Sequence, residues 1–186
     1  ATEVQQCASM SITVQPAASG SVGVPPFYML AFPVGGTPST TLAGTNTKTI
    51  NYQFTQPVGS EVMLNLADST GNSGGIPQVL YKVVAGQNSQ CVSSTSNSPE
   101  FTVTSNVTEV DTCQPWGLTM KGGVAPYFVT IAALDSGGVT NVTMPAQTDV
   151  YTYINRALPG SHLIGLIILS STGRWASGTP LVTTKG

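Results

Sequence analysis

The sequence predicts an all-β chain built from two tandem sandwich domains. Three observations carry this: an internal repeat spanning nearly the whole chain, apolar residues alternating within short runs, and turn residues closing each run. The repeat is clearest where Gly23-Val24-Pro25-Pro26-Phe27-Tyr28-Met29 matches Gly123-Val124-Ala125-Pro126-Tyr127-Phe128-Val129. It continues in one order through Gly35-Gly36 with Gly137-Gly138, Tyr52 with Tyr153, Thr70-Gly71 with Thr172-Gly173, and Gly75-Ile76-Pro77 with Gly178-Thr179-Pro180. Upstream, Cys7 with Ile12-Thr13-Val14 matches Cys113 with Leu118-Thr119-Met120, and extra residues around Pro16 to Ser21 absorb the difference in length. Aromatic, proline and aliphatic positions all match, so shared Ser, Thr and Gly content does not account for the similarity.

Each copy reads as short strands. Phe27 to Phe32 is bounded by Pro25-Pro26 and Pro33, and Thr49 to Thr55 places Ile50, Tyr52 and Phe54 on one side. Glu61 to Ala67 alternates with Val62, Leu64 and Leu66 on one face, and Gln78 to Ala85 carries Val79, Tyr81 and Val83. Copy two repeats this in Tyr127 to Ala132, Thr148 to Asn155, His162 to Leu169 and Pro180 to Thr184. Alternation at period two describes antiparallel strands with one face on a core. Such strands, closely spaced in a domain of about 90 residues, predict an immunoglobulin-like, fibronectin-III-like antiparallel β-sandwich. Leu163 to Leu169 is almost continuously apolar, which predicts a strand covered on both faces, the second by the other domain. Phe101-Thr102-Val103 reads as the last strand of copy one, giving domains at 1–105 and 106–186.

Composition narrows the function. Only 8% of the 186 residues are charged and the formal net charge is −2, so no basic footprint for nucleic acid or anionic lipid exists. The longest apolar run, Leu163 to Leu169, is far short of the ~20 residues of a membrane helix. The opening Ala1-Thr2-Glu3-Val4 fits a mature, exported chain. Two sequons, Asn106-Val107-Thr108 and Asn141-Val142-Thr143, make Asn106 and Asn141 candidate N-glycosylation sites.

The three cysteines read as disulfide cysteines. Cys7 precedes the first matched strand and Cys91 follows the last of copy one, so a Cys7–Cys91 bridge is expected; Cys91–Cys113 across the linker is the competing pairing. Cys113 is the counterpart of Cys7, and by the repeat offset its own partner falls beyond Gly186. Copy two therefore reads as stopping short of its closing cysteine. Cys113 is expected to bond a partner past Gly186, to bond another chain, or to remain a free thiol.

Cys113-Gln114-Pro115 through Gly122-Gly123-Val124-Ala125-Pro126-Tyr127-Phe128-Val129, with Gly59-Ser60, Asp68-Ser69-Thr70-Gly71 and Ser89-Gln90-Cys91, resembles a module of fungal secreted Ser/Thr-rich cell-wall proteins. The module is similar to the amino-terminal domain of yeast proteins of β-1,6-glucan assembly. The resemblance implies an immunoglobulin-like sandwich, export, glycosylation and cell-wall or extracellular placement, and it carries over no catalytic residue. The family often has Trp in the strand before Gly-Gly; here Met120 stands there and Trp116 lies four residues earlier. The long Ser/Thr tail with an anchor signal found in many members is not seen in this sequence.

No catalytic, cofactor or metal motif is found. The single histidine, His162, neighbours Ser161, and adjacent strand residues point to opposite faces, which rules them out as a base–nucleophile pair. Asp68 and Asp135 sit in turn signals, where Asp accepts bonds from its own turn. Trp175, after the Ser171-Thr172-Gly173-Arg174 turn, and Trp116 are the candidates for contact with a sugar ring or protein partner. The expectation is a non-catalytic structural or interaction glycoprotein. Its expected partners are a cell-wall polysaccharide or a second chain joined through Cys113, giving a homo- or hetero-oligomer. The rivals are a β-glucan-binding protein and a fungal glycoprotein recognised by animal immune cells.

Overall fold

The structure is a computed structural model and describes residues 1–16, 19–92, 101–137, 139–169 and 172–186. Residues 93–100, part of the Pro16–Ser21 insertion, Gly138 of the Gly137-Gly138 pair and Ser171 of the Ser171–Arg174 turn lie outside these. Two immunoglobulin-like sandwiches are formed, as the alternation predicts.

Domain one contains β1 (Thr2–Gln5), β2 (Ser9–Ile12), β3 (Phe27–Pro33), β4 (Ser39–Gly44), β5 (Ile50–Gln53), β6 (Glu61–Ala67) and β7 (Tyr81–Val84). Its larger sheet has the order β1-β7-β6-β3-β4, and β2-β5 forms the second layer. Domain two contains β8 (Phe101–Ser105), β9 (Glu109–Asp111), β10 (Pro115–Gly122), β11 (Tyr127–Ala133), β12 (Val139–Thr143), β13 (Val150–Ile154), β14 (His162–Leu169) and β15 (Leu181–Lys185). Its sheets are β12-β11-β14-β15-β9 and β13-β10-β8. From β9 to β15 the order reproduces domain one strand for strand.

Local geometry repeats too. Cys7 and Cys113 both take the left-handed conformation, with φ of 62° and 68°. The amide of Cys7 donates to Phe54 O (2.9 Å) and that of Cys113 to Asn155 O (2.8 Å). Pro26 and Pro126 both follow cis peptide bonds.

Three expectations change. The sandwiches are not purely antiparallel: β1 runs parallel to β7 and β9 parallel to β15, closing each large sheet with its first strand. Phe101–Ser105 belongs to domain two, not to copy one. It pairs with β10, and Phe101 and Val103 are buried in the domain-two core. The Gly-Gly match is also displaced: Val34 N donates to Glu61 O as Leu134 N donates to His162 O, so Gly35 corresponds to Asp135 and Gly36 to Ser136. Asp135 accepts the left-handed φ of 57° that glycine takes at position 35 (68°).

Each domain has its own core. In domain one, Phe27, Met29, Ile50, Tyr52, Phe54 and Val62 pack between the layers; in domain two, Trp116, Leu118, Val129, Leu163, Ile167 and Val182 do so. A third cluster lies between the domains, where Phe32 and Met63 of domain one meet Ala132, Ile164 and Leu166 of domain two. β14 is therefore apolar on both faces because both are covered, as its run predicts: Leu163 and Ile167 point into the sandwich, Ile164 and Leu166 into domain one.

Candidate functional site

The Cys7–Cys91 bridge is formed, with Cα atoms 5.6 Å apart and a sequence separation of 84. It ties the entry of domain one to the segment after β7. Cys113 has no disulfide partner in this structure and lies exposed.

Both sequon asparagines are exposed. Asn106 follows β8, and its Oδ1 accepts from Gly117 N at 2.9 Å. A Cβ on Gly117 would stand 3.2 Å from the Asn106 side chain, so glycine lets the asparagine lie against β10. Asn141 lies on β12, with Oδ1 accepting from Thr130 Oγ1 at 2.7 Å.

The tryptophans are not placed for stacking. Trp116 is fully buried in domain two, and its Nε1 donates to Ser105 Oγ at 2.7 Å. It joins β10 to β8, so a contact with a sugar ring or protein partner does not describe it. Trp175 does not stand at a loop tip. It is partly buried in the interdomain cluster, with its ring edge-to-face on Phe32 at 6.4 Å. Sequence reasoning missed this because its repeat counterpart lies near Ser73, which left no pattern to mark Trp175 as packing.

Asp68 is the strongest electrostatic feature. Its carboxylate accepts from Val24 N, Thr70 N and Asn72 N, each at 2.9 Å, and from Thr70 Oγ1 at 2.7 Å. The bond from Val24, then that from the Thr70 hydroxyl, hold its carboxyl well below the usual carboxylate range. It closes its own turn, as its position predicts, and fastens the loop before β3. His162 lies half-buried on β14, its Nδ1 3.2 Å from Thr183 Oγ1 on the neighbouring strand.

The described residues line several concave regions, among them these three. Two adjoin along one side of domain one, at about 510 and 480 Å³, over Met29, Leu64, Leu66 and Phe27. The third, about 340 Å³, lies in domain two beside Asp135, Tyr153 and Arg156. Among the described residues Asp135 is the single carboxylate lining it, whereas glycoside hydrolysis uses a facing pair. Among the described residues no group of three His, Cys, Asp or Glu gathers to hold a metal, and no helix is long and apolar enough to cross a membrane.

No protein-family model matches the chain, and no curated protein matches it. Among solved structures, the chain is similar to the chicken CNTN1 FN1-FN3 domains at 13% identity and a TM-score of 0.38, covering 98% of this chain and 64% of that one. It is also similar to the two-fibronectin-type-III-domain segment of chicken tenascin, at 11% identity, a TM-score of 0.32, and coverage of 95% and 89%. A third similarity is to the fibronectin(III)-like modules of Clostridium thermocellum CbhA, at 13% identity, a TM-score of 0.31, and coverage of 99% and 89%.

Proposed function

We infer that the chain is a non-catalytic structural or interaction protein of the extracellular surface, of the fungal cell-wall type its sequence resembles. The Cys7–Cys91 bridge carries this reading, because a disulfide spanning a whole domain persists in oxidising compartments and is rare in the cytosol. The exposed sequons at Asn106 and Asn141 are compatible with the secretory route. Two sandwiches presenting edges, loops and an exposed thiol are suited to surface contact, including a disulfide to a second chain through Cys113.

The test is the intact mass of protein isolated from its source, before and after reduction and after glycan removal. The reading expects hexose-bearing mass on Asn106 or Asn141, the Cys7–Cys91 bond, and a larger species on non-reducing gels that collapses on reduction. An unglycosylated chain with all three thiols reduced would contradict export. Identical mobility under both gel conditions would contradict an intermolecular Cys113 bond. Retention on insoluble β-glucan is expected to be unchanged by Trp175→Ala, because that ring is already packed on Phe32.

A further inference from the structure

β2 of domain one and β10 of domain two are counterparts, as are β5 and β13, and each pair belongs to the smaller layer of its sandwich. The outward side chains of the two layers differ. In domain one Ser9 stands opposite Gln53 and Ser11 opposite Asn51, all exposed, with Ser11 Oγ donating to Asn51 Oδ1 at 2.9 Å. Cys7 matches Cys113 and Tyr52 matches Tyr153, so the same places in domain two hold Pro115 opposite Ile154 and Gly117 opposite Thr152. Next along the sheet, Val150 stands opposite Thr119 where domain one has Thr49. Ile154 and Val150 are 48% and 52% exposed, so this apolar surface faces solvent where that of domain one is polar.

The apolar face also carries a sequon asparagine. The amide of Asn106 donates to Gly117 O at 3.1 Å, and Gly117 N donates back to Asn106 Oδ1 at 2.9 Å. Trp116 and Leu118 are buried in the core, so a side chain at position 117 would point outward. A Cβ built there would stand 3.2 Å from Asn106 Cγ and 3.3 Å from its Nδ2. The Asn106 carboxamide therefore lies on the outer surface of β10, over the place that glycine leaves clear. Its Oδ1 is held by the Gly117 amide, and its Nδ2, the atom that takes a sugar, lies on the solvent side of the sheet.

The chemistry of this face suits a sugar. None of Pro115, Gly117, Thr119, Val150, Thr152 and Ile154 is charged. Gly117 and Thr152 form a low middle, flanked by Ile154 on one side and Val150 on the other. Neighbouring strands stand about 5 Å apart, so β13 is within about 10 Å of Asn106, close enough for the sugars nearest the asparagine. A pyranose ring presents C–H groups on its faces and hydroxyls around its rim. Laid flat, it covers apolar side chains and keeps its hydroxyls in water. Both sequons of this sequence lie in domain two, and the polar outer layer of domain one has none.

We propose that the outer face of β10 and β13 is the seat of an N-linked glycan on Asn106, whose first sugars lie across Gly117 and Thr152 with their C–H groups packed between Ile154 and Val150. This rests on the reading of Asn106 as a glycosylated residue. The N-linked bond uses one hydrogen of Nδ2 and leaves Oδ1 accepting from Gly117, so the anchor keeps its place on the sheet. β13 is the edge strand of its sheet, and a glycan seated beside it shields that edge and the apolar face from pairing with other chains. The glycan is then part of the folded domain, as a second cover over β10 whose inner face is already buried by Trp116 and Leu118.

The test uses the full chain with Asn141→Gln, so that Asn106 bears the N-glycan, beside the same chain made without glycan, the Cys7–Cys91 bond intact in both. Nuclear Overhauser contacts are expected between ring protons of the first sugars and the methyl groups of Ile154 and Val150. The glycan is also expected to raise the melting temperature of domain two by about 3 °C. That gain is expected to vanish when Val150→Thr and Ile154→Gln are introduced together, the residues that domain one holds at the same places. The sugar contacts in the parent chain need no such variant. An occupied Asn106 whose sugars make no contact with Ile154 or Val150, or an equal gain with and without the two substitutions, would overturn the proposal and leave the glycoprotein reading standing. An Asn106 bare of sugar in protein from its source would overturn both. Methyl contacts that form without glycan and grow with protein concentration would assign the face to a second copy, and would overturn the proposal as well.

Discussion

Asp68 gathers three amides and a hydroxyl onto one carboxylate, and those bonds are strongest while it is ionised. Its folded pKa is depressed, so the stabilisation is present above the ordinary carboxyl value of about 4 and is lost as pH falls below it. Thermal melts of the wild type and Asp68→Asn across acidic pH test this. The wild type is expected to be the more stable near neutrality, the gap narrowing as pH falls from about 5 toward 2; a gap independent of pH would contradict it. Trp116→Phe removes a buried indole and its bond to Ser105, and is expected to cost about 2 kcal/mol in a denaturation experiment. At this scale the sequence was partly legible. Asp68 stood among turn residues that declare its role, and Cys7 and Cys91 flanked one copy. The two tryptophans carried no such signal, because a single aromatic residue has no period to say which face it occupies, and the counterpart of Trp175 in copy one is the small, polar Ser73.

Strands were legible in proportion to their burial. β6 and β14 lie at the centres of their sheets and alternate or run apolar along their whole length, so their bounds were readable from the sequence. The edge strands β1, β4, β9 and β12 are short and mostly exposed, and no apolar face marks them. β8 was readable as a strand but not as a member of domain two, since pairing with β10 is a matter of topology that residue pattern does not encode. The disulfide belongs to this scale as well. Replacing Cys7 and Cys91 by Ser opens a loop of 84 residues and is expected to cost about 4 kcal/mol by loop entropy. The loss should fall on domain one, read as earlier amide exchange in β2 to β7 while β10 to β15 stay protected. Equal loss in both domains would indicate that the bridge stabilises more than its own sandwich.

The two domains meet through equivalent surfaces. Ile76 N donates to Ser136 O at 2.7 Å, and its counterpart Thr179 donates from N (3.3 Å) and Oγ1 (2.9 Å) to Gly36 O, the counterpart of Ser136. Residue pairs that exchange roles in this way define an isologous contact, the kind a symmetric homodimer makes, here within one chain. The apolar centre is less symmetric: Phe32 faces domain two where its counterpart Ala132 is small, and Trp175 fills the remaining space. Phe32→Ala is therefore expected to cost about 3 kcal/mol and to split one calorimetric transition into two, as the domains uncouple. That β14 would be covered on both faces was readable from its apolar run; the exchange of roles across the interface was not, because it depends on how two repeats are oriented.

The most direct test of this two-domain body is whether Trp175 touches domain one in solution. Nuclear Overhauser contacts between the Trp175 indole and the Phe32 ring are expected, with the Ile76 amide slow to exchange. A Trp175 ring that shows no contact with Phe32, together with a rapidly exchanging Ile76 amide, would contradict the account.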